Sequence, residues 1–260
     1  MNLEMRDKVV LVTGGAKGIG AAITRAAAGE GAVPVIVDRD AAAGRLLRTE
    51  LDSREQRSLF IECDLSSAEA CRAAVEKSLE YGGRIDVLVN NAGINDKVGL
   101  AAGDPQSFVA SLERNLMHFY NLAHYALASL AATKGSIVNI ASKVAITGQG
   151  GTSGYAAAKG AILALTREWA VELIDRGIRV NAILPAEVMT PLYEAWLATF
   201  EHPEEKLAEI TAKIPLEKRM TRPEEIADAA LFLMSARASH ITGQQISVDG
   251  GYVHLDRALS

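Results

Sequence analysis

Two cysteines in 260 residues, Cys63 and Cys71, are too few for a disulfide framework and favour a reducing compartment. No apolar run reaches the ~18 residues of a membrane-spanning helix. The opening Met-Asn-Leu-Glu-Met-Arg-Asp-Lys has no apolar core of a secretion signal. Basic residues do not dominate either: 27 Lys and Arg are interspersed with 32 Asp and Glu, so nothing marks a nucleic-acid footprint. Metal-ligand spacing is missing as well. His118 and His124 are six apart and do not share a helix face, while His202, His240 and His254 are isolated. A surface or interface role is the expectation for each histidine, and no metal site is expected. These absences point to a cytoplasmic protein with neither membrane nor nucleic acid as a partner.

Hydrophobic content of 49% with 22 glycines suits a buried parallel sheet wrapped in alanine-rich helices. Short β-branched runs alternate with helical patterns almost end to end. Strands are expected at Val9–Thr13, Val33–Asp38, Leu59–Asp64, Asp86–Asn90, Ser136–Ile140 and Ile178–Leu184, with a seventh at Gln245–Asp249. Continuous apolar strands with crossover helices mean a parallel sheet covered on both faces. No linker, repeat or low-complexity segment interrupts the pattern. The reading is therefore α/β, a single Rossmann-fold domain over residues 1–260 with a doubly wound, seven-stranded sheet. One stretch departs from alternation: about 187–216 is helical with no strand, and follows the sixth strand where a lid would sit.

Tyr155 and Lys159 are four apart, so they share a helix face, and Ser142 closes the apolar run Gly135–Ser142. An ammonium near a phenol can depress its pKa, and a hydroxyl beside both can hold an alcohol or carbonyl. Together they form an acid/base device for moving a proton while a carrier moves a hydride. Thr13-Gly-Gly-Ala-Lys-Gly-Ile-Gly20 supplies the place for such a carrier, since it follows the first strand and opens a helix. Gly14, Gly18 and Gly20 allow a tight turn and close approach of a pyrophosphate to the helix N-terminal N–H groups.

Asp38, eighteen residues beyond Gly20, can accept hydrogen bonds from the adenosine ribose. It can equally cap the following helix. A carboxylate there repels a 2′-phosphate, which favours NAD; Lys17 and Arg39 pull the other way and keep NADP open. Asp64 and Asn90-Asn-Ala-Gly93 suit the next loops of a cleft, or plain strand-end turns.

Taken in order, Thr13-Gly-x-x-x-Gly-Ile-Gly20, Asn90-Asn-Ala-Gly93, Asn115, Ser142, Tyr155-x-x-x-Lys159 and Arg179-Val-Asn181 resemble the short-chain dehydrogenase/reductases over essentially the whole chain. The resemblance implies Tyr155 as general acid/base, Lys159 lowering its pKa and binding nicotinamide ribose, and Ser142 orienting the substrate oxygen. Asn115, on the resemblance alone, supports a proton-relay water through its backbone. The implied cofactor contacts are Gly14, Lys17, Gly18, Ile19, Gly20, Asp38, Arg39, Asp64, Leu65, Asn91, Ala92, Gly93, Tyr155, Lys159, Pro185, Val188 and Thr190. Ala186 stands where the family usually has glycine, which restricts that loop. A homotetramer is implied too, and the small, apolar helix after Tyr155 supports packing on another subunit.

Polar residues gather around the expected substrate side: Asn95, Lys143, Gln149 and Glu187, with Trp196 able to stack on a sugar face or to form lid core. Ser111–Leu116, Gly148–Tyr155, Pro185–Tyr193 and the tail Asp249–Arg257 resemble the L-fucose dehydrogenase branch. That implies oxidation of the C1 hydroxyl of L-fucose or a related aldose to its lactone. The alternatives are a 3-oxoacyl thioester reductase and, outside enzymes, a dinucleotide-sensing or scaffold protein.

Overall fold

A computed structural model describes residues 2–255. The β-branched runs form β1 (Val9–Thr13), β2 (Val33–Asp38), β3 (Leu59–Glu62), β4 (Val87–Asn90), β5 (Ser136–Ile140), β6 (Arg179–Pro185) and β7 (Gln245–Val248). They make one seven-stranded sheet in the order β3-β2-β1-β4-β5-β6-β7, all pairs parallel. Both faces are buried, which is why β1 reads Val-Val-Leu-Val-Thr without a polar alternation. Leu11, Leu88, Ile137 and Val180 face one layer, built on Phe119, Leu122, Ile162 and Trp169. Val10, Val12, Val89, Val138 and Ile183 face the other, built on Ile23, Ala27, Ile226 and Leu233.

The helices are α1 (Gly18–Gly29), α2 (Ala41–Asp52), α3 (Ala68–Gly82), α4 (Pro105–Leu112), α5 (His118–Thr133), α6 (Ser153–Glu172), α7 (Pro191–Leu197), α8 (Pro203–Thr211) and α9 (Pro223–Met234). Local chemistry sets their starts. Asp40, Ser67 and Asp104 each accept a backbone N–H as N-caps of α2, α3 and α4. Proline fills the first turn of α4, α7, α8 and α9, where its missing N–H costs nothing. Glu225 reaches back to the Arg222 N–H at 2.8 Å and closes the start of α9.

Five expected strand limits move: β6 runs Arg179–Pro185 in place of Ile178–Leu184, and at one end each of β3, β4 and β7 an Asp side chain takes up backbone N–H groups. β3 stops at Glu62, and Asp64 lies beyond it, folding a turn on the Ser66 N–H (3.0 Å). Asp86 leaves β4 because its carboxylate takes the Val9 N–H (2.9 Å) and pairs with Arg84. Asp249 likewise ends β7 by accepting from the Gly251 and Val253 N–H groups. Between β6 and α9 lie α7 and α8 without a named strand, tied down by the parallel bridge Val188 to Thr221 and by the Leu216 N–H on the Gly250 carbonyl (2.9 Å). Among the described residues no helix is long and apolar enough to cross a membrane.

Candidate active site

The strand order reverses between β1 and β4, and loops leaving there in opposite directions open a crevice at the carboxyl edge. A cleft of ≈ 450 Å³ occupies it, lined by the glycine loop, Asp38, Asn91–Asn95, Ser142, Tyr155, Lys159, Pro185, Ala186, Val188 and Thr190–Tyr193. Gly14 and Gly18 hold φ of +57° and +52°, the left-handed region that favours glycine. A Cβ on Gly20 would overlap the Gly14 carbonyl, so this helix start tolerates no side chain. Lys17 caps α1 without a side-chain bond, and the first turn carries no acid. Its free N–H groups therefore face the cleft as an anion cradle suited to a pyrophosphate.

Asn91 is a brace. Its amide donates to the Thr13 and Gly14 carbonyls (2.9 and 3.1 Å), and Thr13 Oγ1 accepts from the Asn91 and Ala92 N–H groups. Asp38 is not a helix cap, since Asp40 has that role. Its two oxygens accept from Ala16 and Asp40 N–H (3.1 and 2.9 Å), which fixes the carboxylate at the cleft rim. Lys17, one of two cations expected to attract a 2′-phosphate, is instead ion-paired with Asp40. Arg39, the other, is exposed at the rim. Ile19, Asp64, Leu65, Ala92, Gly93, Pro185, Val188 and Thr190 all line the cleft. Ala186 does so with no positive φ, so the missing glycine imposes no strain there. Thr190 Oγ1 caps α7 by accepting from Tyr193 N–H (3.2 Å), which leaves its own proton to donate.

β5 and α6 bring the proton device together. Ser142 ends the β5 run and hydrogen-bonds the Tyr155 phenol, favouring its ionised form, but burial outweighs this and pushes the phenol up to about 12. Lys159 is buried with no carboxylate facing it; Nζ donates to the Ile140 carbonyl at 2.8 Å, and burial brings the amine down to about 7. Depression of the phenol by Lys159 is therefore not what this structure shows. Nζ lies 5.5 Å from the Tyr155 ring centroid, and desolvation governs both groups.

Asn115 lies in a π-helical turn, Glu113–Met117, between α4 and α5. Its side chain accepts from Ile94 N–H (2.8 Å) and donates to the Ser111 carbonyl (3.0 Å). Asn115 is fully buried and is not among the residues that line the cleft, and a π turn displaces carbonyls from ordinary helical pairing.

The substrate side departs from expectation. Asn95 lines the cleft, but Lys143 and Glu187 lie behind its wall as a salt bridge, with Lys143 4.1 Å from the Tyr252 ring centroid. Tyr193, which the sequence reading missed, is the face they present: its hydroxyl donates to Glu187 at 2.9 Å and its ring lines the cleft. Burial and the Glu187 charge hold that phenol far above its ordinary pKa. Gln149 is exposed on a loop away from the cleft, and Trp196 is wedged edge-on between Tyr193 and Phe200 as core of the α7 segment. His118, expected in a surface or interface role, is instead buried in this protomer and among the residues that line the cleft. No periodicity distinguishes Tyr193 or His118 from neighbouring helix residues. Among the described residues no three His, Cys, Asp or Glu side chains gather as metal ligands.

A family model described as enoyl-(acyl carrier protein) reductase matches residues 14–253. The bovine (Bos taurus) L-fucose dehydrogenase is 39% identical over 252 residues, spanning 96% of this chain and 91% of that protein. The chain is a short-chain dehydrogenase/reductase. As such it is an oxidoreductase acting on CH–OH groups with a nicotinamide dinucleotide, and the cradle above fits one. This dehydrogenase is also 37% identical to the 3-oxoacyl-[acyl-carrier-protein] reductase FabG of Thermotoga maritima, over 96% of its own length and 100% of that chain. Its fold is that of the solved Cj0485 dehydrogenase, with a TM-score of 0.95, 46% identity, and 100% and 99% of the two chains covered.

Proposed function

We propose that this enzyme oxidises the anomeric hydroxyl of a pyranose aldose, L-fucose or a sugar sharing its ring stereochemistry, to the lactone. The observation that carries this is the fixed polar wall beside Ser142 and Tyr155. Asn95 lines that cleft with its amide, and Tyr193, whose hydroxyl donates to the Glu187 carboxylate paired with Lys143, keeps an oxygen lone pair for a substrate hydroxyl. Leaving such hydroxyls unpaired would cost ~1–3 kcal/mol each, so a polar wall discriminates against an acyl chain. Similarity to the bovine L-fucose dehydrogenase supports the same reading.

In the proposed reaction Ser142 holds the C1 oxygen and the ionised Tyr155 removes its proton as the C1–H bond breaks. The bound nicotinamide supplies the hydride acceptor. Lys159, anchored on the Ile140 carbonyl, holds position beside the phenol. Reduction of a 3-oxoacyl thioester is the second reading, favoured by similarity to the Thermotoga reductase. For the cofactor we infer NAD: Asp38 is fixed by two backbone bonds, and Asp40 neutralises Lys17. We also infer a homotetramer. Val109, Met117 and Tyr120 on α4, the π turn and α5 are 53%, 46% and 52% exposed, an apolar stripe suited to another copy.

An assay of aldoses, polyols and a 3-oxoacyl thioester with NAD and NADP separates the readings. Turnover of L-fucose with NAD, abolished in Tyr155→Phe, is expected. Turnover of the thioester but of no aldose would overturn the sugar assignment. Light scattering during gel filtration checks the assembly, where a monomer at micromolar concentration would refute it.

A further inference from the structure

Tyr193 lines the cleft and is held there from several sides. Its N–H donates to the Thr190 hydroxyl (3.2 Å), and Thr190 lies against the glycine loop, where a Cβ on Gly18 would stand 3.2 Å from its Cγ2. The ring sits edge-on to Trp196, 5.1 Å between centroids. The hydroxyl donates to Glu187 at 2.9 Å, and Glu187, two residues past β6, pairs with Lys143, the residue after Ser142. Lys143 is itself buried, its Nζ 4.1 Å from the Tyr252 ring centroid. The phenol is thus fixed relative to the dinucleotide cradle through Thr190 and to the catalytic serine through Lys143.

The direction of each bond in this relay is set by chemistry. An ammonium only donates and a carboxylate only accepts, so the proton between Tyr193 and Glu187 belongs to the phenol. Burial and the Glu187 charge both raise that phenol's pKa, so it keeps the proton at working pH. A phenol has one proton, and this one already points at Glu187; what the oxygen can still offer a substrate is a lone pair. Asn95 has the opposite bias. Its oxygen accepts from the Lys97 N–H (3.2 Å), which leaves its amide N–H groups to donate. We propose that Tyr193 is a specificity-determining residue whose locked hydroxyl demands a hydrogen-bond donor, a ring hydroxyl of the sugar, and rejects substrates that bring only acceptors to it. The carbonyls of a 3-oxoacyl thioester would set lone pair against lone pair there, and the phenol cannot turn its proton to them without leaving Glu187 unpaired. The inference rests on the aldose reading above and narrows it from a polar substrate to one that must donate.

The test measures kcat/KM for L-fucose, or for the aldose it turns over best, against analogues replaced at C2, C3 or C4 by hydrogen or by fluorine, which does not donate. The unaltered enzyme, Tyr193→Phe and Glu187→Gln are compared; intrinsic effects of each replacement on C1 are common to all three and cancel. In the unaltered enzyme one position should carry a penalty of about 10-fold for both replacements. In Tyr193→Phe that penalty should fall to within about twofold while those at the other two positions stand, whereas a merely structural defect would scale every substrate alike. Glu187→Gln puts an amide that can donate to the phenol oxygen in place of the carboxylate, freeing its proton, and should narrow the gap between hydroxyl and fluorine by at least about threefold. An enzyme indifferent to all three positions, a penalty undiminished in Tyr193→Phe, or an unchanged gap in Glu187→Gln overturns the proposal. If Glu187→Gln does not fold, Tyr193→Phe decides, since it keeps the ring that packs on Trp196. Turnover of no aldose sinks the sugar reading and this one with it; turnover with penalties unmoved by Tyr193→Phe sinks this one alone.

Discussion

Burial moves Lys159 and Tyr155 in opposite directions, and the two leave separate signatures. A lysine whose folded pKa, about 7, lies below its unfolded value of 10.5 binds fewer protons when folded across that window. Stability of the cofactor-free protein contributed by this residue therefore rises with pH from about 7 to 10.5, at up to ~1.4 kcal/mol per pH unit. Thermal melts of Lys159→Met should lack this rise relative to the parent; parallel curves would show that the amine is not desolvated. Tyr155, raised to about 12, must ionise to act as base, so kcat/KM for alcohol oxidation should climb from neutral into alkaline pH, and a flat profile would contradict it. Asp38→Ser should raise kcat/KM with NADP about 10-fold or more relative to NAD, because a fixed carboxylate is removed while Lys17 stays paired with Asp40. Unchanged discrimination would show that Asp38 does not read the ribose. The glycines of the loop were legible in the sequence because a backbone that must turn left-handed or approach closely admits almost no other residue. His118 and Tyr193 were not, since what they face is decided by elements remote in sequence.

The seven strands could be read directly because runs buried on both faces have no competing pattern. Their ends could not, since Asp64, Asp86 and Asp249 divert backbone N–H groups by side-chain bonds that periodicity does not register. The Arg179-Val-Asn181 motif belongs at this scale, as a clamp and not a site. Arg179 donates to the Leu233 and Ser235 carbonyls (2.8 and 3.1 Å), closing the carboxyl end of α9 against β6. Asn181 bonds the Ile241 carbonyl and Gln244 N–H on the approach to β7. Arg179→Ala should destabilise the enzyme by about 2–3 kcal/mol, read by urea unfolding, while leaving the cofactor KM nearly unchanged. Loss of less than about half a kcal/mol would mean that the carbonyls are satisfied without it. The Lys143–Glu187 pair shows the limit of composition as a guide. Both residues were expected to meet the substrate, but they pair with each other, Glu187 also accepts from the Tyr193 hydroxyl, and neither is among the residues that line the cleft.

At the scale of the molecule, both chemical devices stand on one crevice yet come from distant stretches of chain. The glycine loop and Asp38 precede β3, whereas Ser142, Tyr155 and Lys159 follow β4, and the Thr13–Asn91 brace joins the halves. Sheet order follows from topology. β1 finds its first partner in β2, Val9 beside Val33, but its other edge is closed only by β4, where Val10 meets Val87. This pairing has a consequence for how the chain comes into being. During synthesis at roughly 5–20 residues per second, one edge of β1 waits several seconds for β4, a bare apolar strand edge prone to misassociation. The crevice waits longer still, because α6 and the loop to Tyr193 must emerge before it is closed. A dinucleotide that binds only the completed crevice can then draw late-folding chains toward the native state, so the yield of soluble enzyme becomes a matter of timing as much as of stability.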